Sequence, residues 1–284
     1  MRRPLQTGLA GLLLLVSAGC GTTVESSPPV PTGATTASAP PSATGTATPK
    51  ASTAPQPSAT PIPAAQARNP AAMDDAVPYD PIVDPATFLE AIDNPYWPLT
   101  PGTSYVFKSA EEEIKINVTS ERRMVMGVST VVVNDKVFAD SKLVEDTADW
   151  YAQDRVGNVW YFGEATTSYE DDPAGNHAGS WEAGVDGALP GIVMLADPNG
   201  GDVYRQEFYR GEAEDLALVR HAKGAIKVPA GSFEGVLVTE EWTPLDPDVI
   251  ELKYYARGIG LVAERQIFGG NDLVQLVKVT PAAP

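Results

Sequence analysis

From Ile114 onward the apolar residues of this chain recur at every second position, a period that builds strands and rules out most helices. Ile114, Ile116 and Val118 share one face of a strand while Glu113, Lys115 and Asn117 take the other. A β-branched stretch at 125–133 follows. Trp150-Tyr151 and Val159-Trp160-Tyr161-Phe162 bracket Asp154-Arg155-Val156-Gly157-Asn158, which reads as a hairpin whose turn uses Gly and Asn for left-handed dihedrals. The same reasoning predicts strands at 203–209, 216–221, 225–228, 233–242, 250–255, 260–268 and 273–279. One helix breaks the pattern: Asp84 is a good N-cap, Pro85 suits the first helical position, and Phe88, Leu89 and Ile92 fall at helical spacing before Asn94-Pro95. The expected fold is mainly β, a single antiparallel β-meander curled into a half-barrel or sandwich with one short N-terminal helix, preceded by a disordered tether.

The N-terminal segment is of a different kind. Arg2 and Arg3 form a positive n-region and 9–16 an apolar run, with Ser17-Ala18-Gly19 as a small-residue exit before Cys20. An apolar run of that length falls well short of the about 20 residues a membrane-spanning helix needs. Ala18-Gly19-Cys20 directly after the run resembles a bacterial lipoprotein signal. That resemblance implies cleavage before Cys20, a diacylglycerol thioether on its thiol and an acyl chain such as palmitate on the freed amine. The expected organisation is a signal peptide at 1–19, the lipidated cysteine and a disordered tether at 20–73, and the β-domain at 74–284. The tether is rich in Pro, Thr, Ser and Ala and has too few large apolar residues to offset the entropy of ordering. Extended, it would reach up to about 150 Å. The expected location is the extracytoplasmic face of the cell membrane, held there by lipid.

Cys20 is the only cysteine, so once it is acylated no thiol remains for a disulfide, a zinc cluster or a nucleophile. The chain carries 37 Asp and Glu against 20 Lys and Arg, a net charge of −17, which argues against nucleic acid as a partner. All the acids but Glu25 lie in the domain, so the acidity belongs to it. His177 and His221 are the only histidines, and no Gly-x-Ser-x-Gly elbow accompanies them. No pair of histidines stands at ligand spacing for zinc. Residues 197–202 echo a calcium loop but lack its closing Glu, and a turn explains them better. No catalytic residue, cofactor or metal is therefore predicted, and the chain reads as a non-enzyme.

Candidate binding residues come from the aromatic-rich stretch 150–190. Trp150, Trp160 and Trp242 alternate with the strands and are expected in the core, whereas Trp181 sits in a Gly-rich loop beside Glu182 and Asp186. An exposed indole between two carboxylates suits sugar stacking or, with acids about 5–9 Å apart, glycoside chemistry; a solvated acidic loop is the plainer alternative. Glu212, Glu214 and Asp215 form a second acidic group, and 187–195 reads as a flap or a buried connection. Val228-Pro229-Ala230-Gly231-Ser232-Phe233-Glu234, with the stretch from Tyr254 to Val262, resembles the closing hairpins of exported bacterial domains that include TapB-like and lipoprotein-carrier-like half-barrels. The leading expectation is a surface lipoprotein that binds an apolar ligand or an envelope protein partner. The alternatives are a carbohydrate-binding or carbohydrate-active module using Trp181, Glu182 and Asp186, its partner a glycan, and a structural or adhesive envelope component.

Overall fold

The alternating segments become strands wherever one face can be buried. A computed structural model describes residues 79–170 and 172–283; the signal, Cys20 and the tether lie outside the described residues. The strands are β1 (Phe88–Leu89), β2 (Ser104–Lys108), β3 (Glu112–Val125), β4 (Val128–Ala139), β5 (Lys142–Asp154), β6 (Val159–Ser168), β7 (Trp181–Glu182), β8 (Leu189–Met194), β9 (Val203–Arg205), β10 (Glu207–Phe208), β11 (Leu216–Val228), β12 (Gly231–Thr243), β13 (Asp246–Ala256), β14 (Gly260–Phe268) and β15 (Leu273–Thr280). They pair antiparallel in one sheet, in the order β10, β8, β6, β5, β4, β3, β2, β15, β14, β13, β12, β11, β9; β1 adds to β5 and β7 to β6. The fold is thus mainly β, as the alternation requires.

The sheet curls until it nearly closes into a barrel. Its two ends, β9 and β10, are separated in the chain by Gln206 alone, so a single segment carries both edges. Trp97 gives the curvature a measure. Its ring lies 5.9 Å from Tyr151 on β5 and 5.7 Å from Tyr255 on β13. Six inter-strand spacings separate those strands in the order, about 29 Å in a flat sheet.

The predicted helix does not form. Asp84 does cap, its Oδ1 accepting from the Ala86 N–H at 3.0 Å, but the 3₁₀ turn ends at Thr87. Phe88 then swings edge-on to Trp160 at 6.1 Å and Phe162 at 5.5 Å, and β1 pairs with Asp154 and Gln153. Burying one aromatic against two others outweighs the small propensity of so short a helix. Ile92 bridges to Leu99 instead of continuing a helical stripe. Residues 92–99 thus form a loop that enters the barrel. It is held by Gln153, whose Oε1 accepts from the N–H groups of Asp93 and Asn94, and by the Asn94 amide, which donates to the carbonyls of Gly157 and Leu195.

Two strand boundaries also move. The stretch 125–133 spans a hairpin turn at Met126-Gly127, both with positive φ (49° and 81°), so the chain reverses where the β-branched run suggested continuity. The strands predicted at 216–221 and 225–228 are one strand, β11, with register shifts between Val219 and Ala225 that absorb the irregularity. Of the two readings of 187–195, flap or buried connection, the largely buried segment fits the second, with 189–194 forming β8, paired with β6 and β10.

Candidate functional site

The loop 92–99 fills much of the barrel mouth and leaves an apolar pocket beside it. Trp97, Pro98 and Leu99 form one wall; Tyr105 and Phe107 of β2, Ile116 of β3, Val133 of β4 and Tyr151 of β5 form the opposite one; Ile259, Gly260 and Leu261 complete it at the β13–β14 hairpin. The space comes to about 450 Å³ when its open mouth is included, and about 50 Å³ is wide enough for a water-sized occupant. A lining of this kind gives water few partners, because a buried water needs two to four polar groups. The one hydroxyl contributed by β2, on Tyr105, is pushed up to about 12 by burial and stays protonated.

The strands place these side chains by simple alternation. Tyr105 pairs in register with Ile116 and Phe107 with Ile114, so the inner face of the β2–β3 ladder is continuously apolar. The mouth loop is fixed from the far side as well: the Gly258 N–H donates to the Pro95 carbonyl at 2.7 Å, and the Arg257 guanidinium stacks on Tyr96 at 4.5 Å. The pocket wall is therefore built on anchored segments.

Behind Tyr151 the interior changes character. Tyr151 stacks on Tyr161 of β6 with ring centroids 4.8 Å apart, and the Tyr161 hydroxyl donates to Asp149 Oδ1 at 2.7 Å. Asp149 and Glu164 are direct cross-strand partners on β5 and β6, and both are buried. Burial pushes the Asp149 carboxyl up to about 7, against the hydrogen bond from Tyr161 and with help from Glu145. Glu164 is raised well above the carboxylate range, by burial first and by Asp149 next. Glu207 of β10 is raised in the same way by burial, then by Asp215 and Glu164. A second buried group lies on β12–β14. Burial alone would push Lys253 down, but Glu241, Glu264 and Glu251 outweigh it and hold the ammonium charged. Lys253 reaches Glu241 at 3.1 Å and Glu264 at 3.5 Å.

The residues singled out in sequence are distributed otherwise. Trp181 is not exposed: β7 pairs with β6, and the indole packs edge-on to Tyr161 at 5.3 Å, leaving only 5% of the residue accessible. The close pass that permits this pairing requires Gly163, where a Cβ would lie 2.3 Å from the Trp181 carbonyl oxygen. Glu182 is ion-paired with Arg123, whose guanidinium lies over the Trp150 ring at 4.1 Å. Asp186 sits in an exposed turn with φ of 50°. The indole is thus turned inward, and Trp181, Glu182 and Asp186 line neither the pocket beside Trp97 nor the one beside His221. Trp150 and Trp160 are in the core as expected, whereas Trp242 is only half-buried. Residues 197–202 make a self-closing turn, the Asn199 N–H donating to Asp202 Oδ2 at 2.8 Å. Among the described residues no group of three or more His, Asp or Glu is arranged to hold a metal ion. His177 Nδ1 lies 2.9 Å from the Thr166 carbonyl, and His221 lines a second pocket, of about 1060 Å³ with its open mouth included, together with Arg220, Leu252 and Tyr254.

Sequence reasoning missed the pocket and the Asp149–Glu164 pair. One signal for the pair was present: Asp135 and Asp149 fall in phase with Val133, Val137 and Tyr151, the inward face of their strands. An acid in phase with an apolar stripe is a buried acid.

No family model matches the chain, and no curated protein matches it. Among solved structures it is similar to a protein described as exported, with a YmcC-like fold, from Bacteroides fragilis, at a TM-score of 0.39 and 14% identity over 66% of this chain and 99% of the other. It is also similar to a protein described as a lipoprotein from Parabacteroides distasonis, at a TM-score of 0.36 and 14% identity over 65% of this chain and 98% of the other. Likeness at this level carries no residue role.

Proposed function

We propose that this chain is a lipid-anchored extracytoplasmic protein whose β-domain, without catalysing a reaction, receives an apolar group in the pocket beside Trp97. The anchor rests on Ala18-Gly19-Cys20 directly after an apolar run; two acyl chains at about 0.8 kcal/mol per buried CH₂ make a stable attachment. Replacing Cys20 with Ser should abolish incorporation of labelled fatty acid.

One observation carries the receptor role: an open-mouthed pocket walled by Trp97, Ile116, Val133 and Leu261 persists in an interior that side chains otherwise crowd. Its size suits the end of an aliphatic tail, with the remainder of the ligand lying across the mouth. Titration with linear alcohols from butanol to decanol, followed by tryptophan fluorescence, tests it. Affinity should rise by about 0.8 kcal/mol for each added CH₂ until the pocket is full and then level off. Ile116→Phe, which fills the space, should remove saturable binding. Absence of saturable binding by every alcohol, or equal binding by the Phe variant, overturns the reading.

A further inference from the structure

We propose that the pocket spanning β11 to β14 is a second binding site, independent of the one beside Trp97, and that it takes a small anionic amphiphile: an aliphatic chain ending in a carboxylate.

Its floor is built from cross-strand rows. His221 of β11 stands opposite Val238 of β12, and Val238 opposite Tyr254 of β13. In the next row Glu240 stands opposite Leu252, and Leu252 opposite Arg265 of β14. Glu251, Lys253 and Tyr255 of β13 are buried, and Tyr255 meets Trp97 inside the barrel, so Leu252 and Tyr254, which alternate with them, face the other way. Both walls are bulges. In a regular strand Arg220 and His221 would lie on opposite faces, yet both line this pocket, because β11 shifts register on either side of His221. On β14 the pairing passes from Gln266 to Phe268, and the extra residue between them, Ile267, closes the far side. Gly224 completes the β11 bulge: a Cβ there would lie 3.1 Å from Val238 Cγ2 and 3.3 Å from His221 Cε1, so glycine leaves His221 its place over the floor.

Charge and apolar surface are segregated across this site. Arg220 and His221 form the β11 side, and Val238, Leu252, Tyr254 and Ile267 form an apolar surface beside them. The acid in the rows, Glu240, is ion-paired with Arg220 Nη2, and a guanidinium has further N–H donors to offer. Lys223 of the bulge and Arg265 are exposed at the border. In a chain of net charge −17 this face gathers cations, and the complementary guest carries an anion at one end of an apolar body. The space, about 1060 Å³ with its open mouth included, is on the scale of a small-molecule site.

The test titrates decanoate, below its micelle-forming concentration, into the Ile116→Phe chain, whose pocket beside Trp97 is filled, and follows binding by isothermal calorimetry. Decylammonium serves as the probe of opposite charge. Decanoate should bind saturably, at least about tenfold more tightly than decylammonium, although the net charge of the chain favours the cation. Arg220→Gln, at a half-exposed side chain, should weaken decanoate about tenfold. Ile267→Glu, which sets a carboxylate in the site from an exposed position, should abolish its binding. Absence of saturable decanoate binding, decylammonium binding as tightly as decanoate, or native affinity in either variant overturns the proposal. So does binding of the chain to phosphatidylglycerol vesicles without binding of decanoate, which would make this face a membrane contact. Because the first pocket is filled throughout, failure here leaves the reading of that pocket standing, and failure of alcohols to bind there leaves this site standing.

Discussion

Asp154 shows how much one side chain can organise. Its Oδ1 accepts from the N–H groups of Val156, Gly157 and Asn158 at 2.8–2.9 Å, and its Oδ2 accepts from the Asn158 amide at 2.9 Å and the Trp160 indole at 2.8 Å. A buried carboxylate that satisfies five donors takes that partner from all five when removed, the Gly157 N–H alone keeping the Asp154 backbone carbonyl at 3.0 Å, and bonds to charged groups contribute about 1.5–3 kcal/mol each before any relaxation. Asp154→Ala should therefore cost about 3–5 kcal/mol in urea unfolding, and a loss below about 1 kcal/mol would mean the turn holds itself. This turn was legible in the sequence because Asp, Gly and Asn at 154, 157 and 158 specify it locally. The neighbouring turn at Met126-Gly127 was not, because a methionine at positive φ carries no local signature and the β-branched residues around it read straight through. Trp181 failed for a different reason. Its loop composition indicates exposure, but its burial depends on Gly163 letting two distant segments pass closely, and that is a tertiary fact.

At the scale of elements, alternation identified most strands and their antiparallel order, since short connections leave a meander few other ways to pair. It did not reveal closure. The segment 203–209 reads as one strand, yet 203–205 pair with β11 and 207–208 with β8, an arrangement set by the end of the sheet meeting its beginning. Closure depends on Gly191, where a Cβ would lie 2.2 Å from the Gln206 carbonyl carbon, so only glycine lets β8 approach the seam. The segment 85–93 was misread as a helix because Phe88, Leu89 and Ile92 fit helical spacing while serving separate contacts. The pocket, formed between residues 97–99 and five strands, was invisible because no short stretch of sequence contains it.

At the scale of the whole molecule, the buried residues among those described include eleven carboxyls, those of Asp135, Asp149, Asp154, Glu164, Asp202, Glu207, Glu214, Asp215, Glu241, Glu251 and Glu264, against the cations of Arg205 and Lys253. Burial raises Asp149 to about 7 and, with Glu170 and Glu145, Glu112 to about 7; it also pushes Glu164, Glu207, Glu251 and Glu264 upward. The folded chain then holds protons that the unfolded chain releases near its ordinary carboxyl values of about 4. The stability these protons confer is complete below that range and is lost as pH rises through the folded values, so the folded state weakens from about pH 4.5 through 7 and beyond. Calorimetry should find a lower Tm at about pH 8 than at about pH 5; a Tm that rises over that interval would show these carboxyls to be ionised in the fold. An acidic interior crossed by an apolar pocket makes the pocket the part of the molecule most suited to an uncharged guest. Diffraction from crystals pressurised with xenon tests that directly. A xenon atom should bind among Trp97, Ile116, Val133 and Leu261 and disappear in Ile116→Phe; a native crystal with no xenon at that position would overturn the apolar-receptor reading.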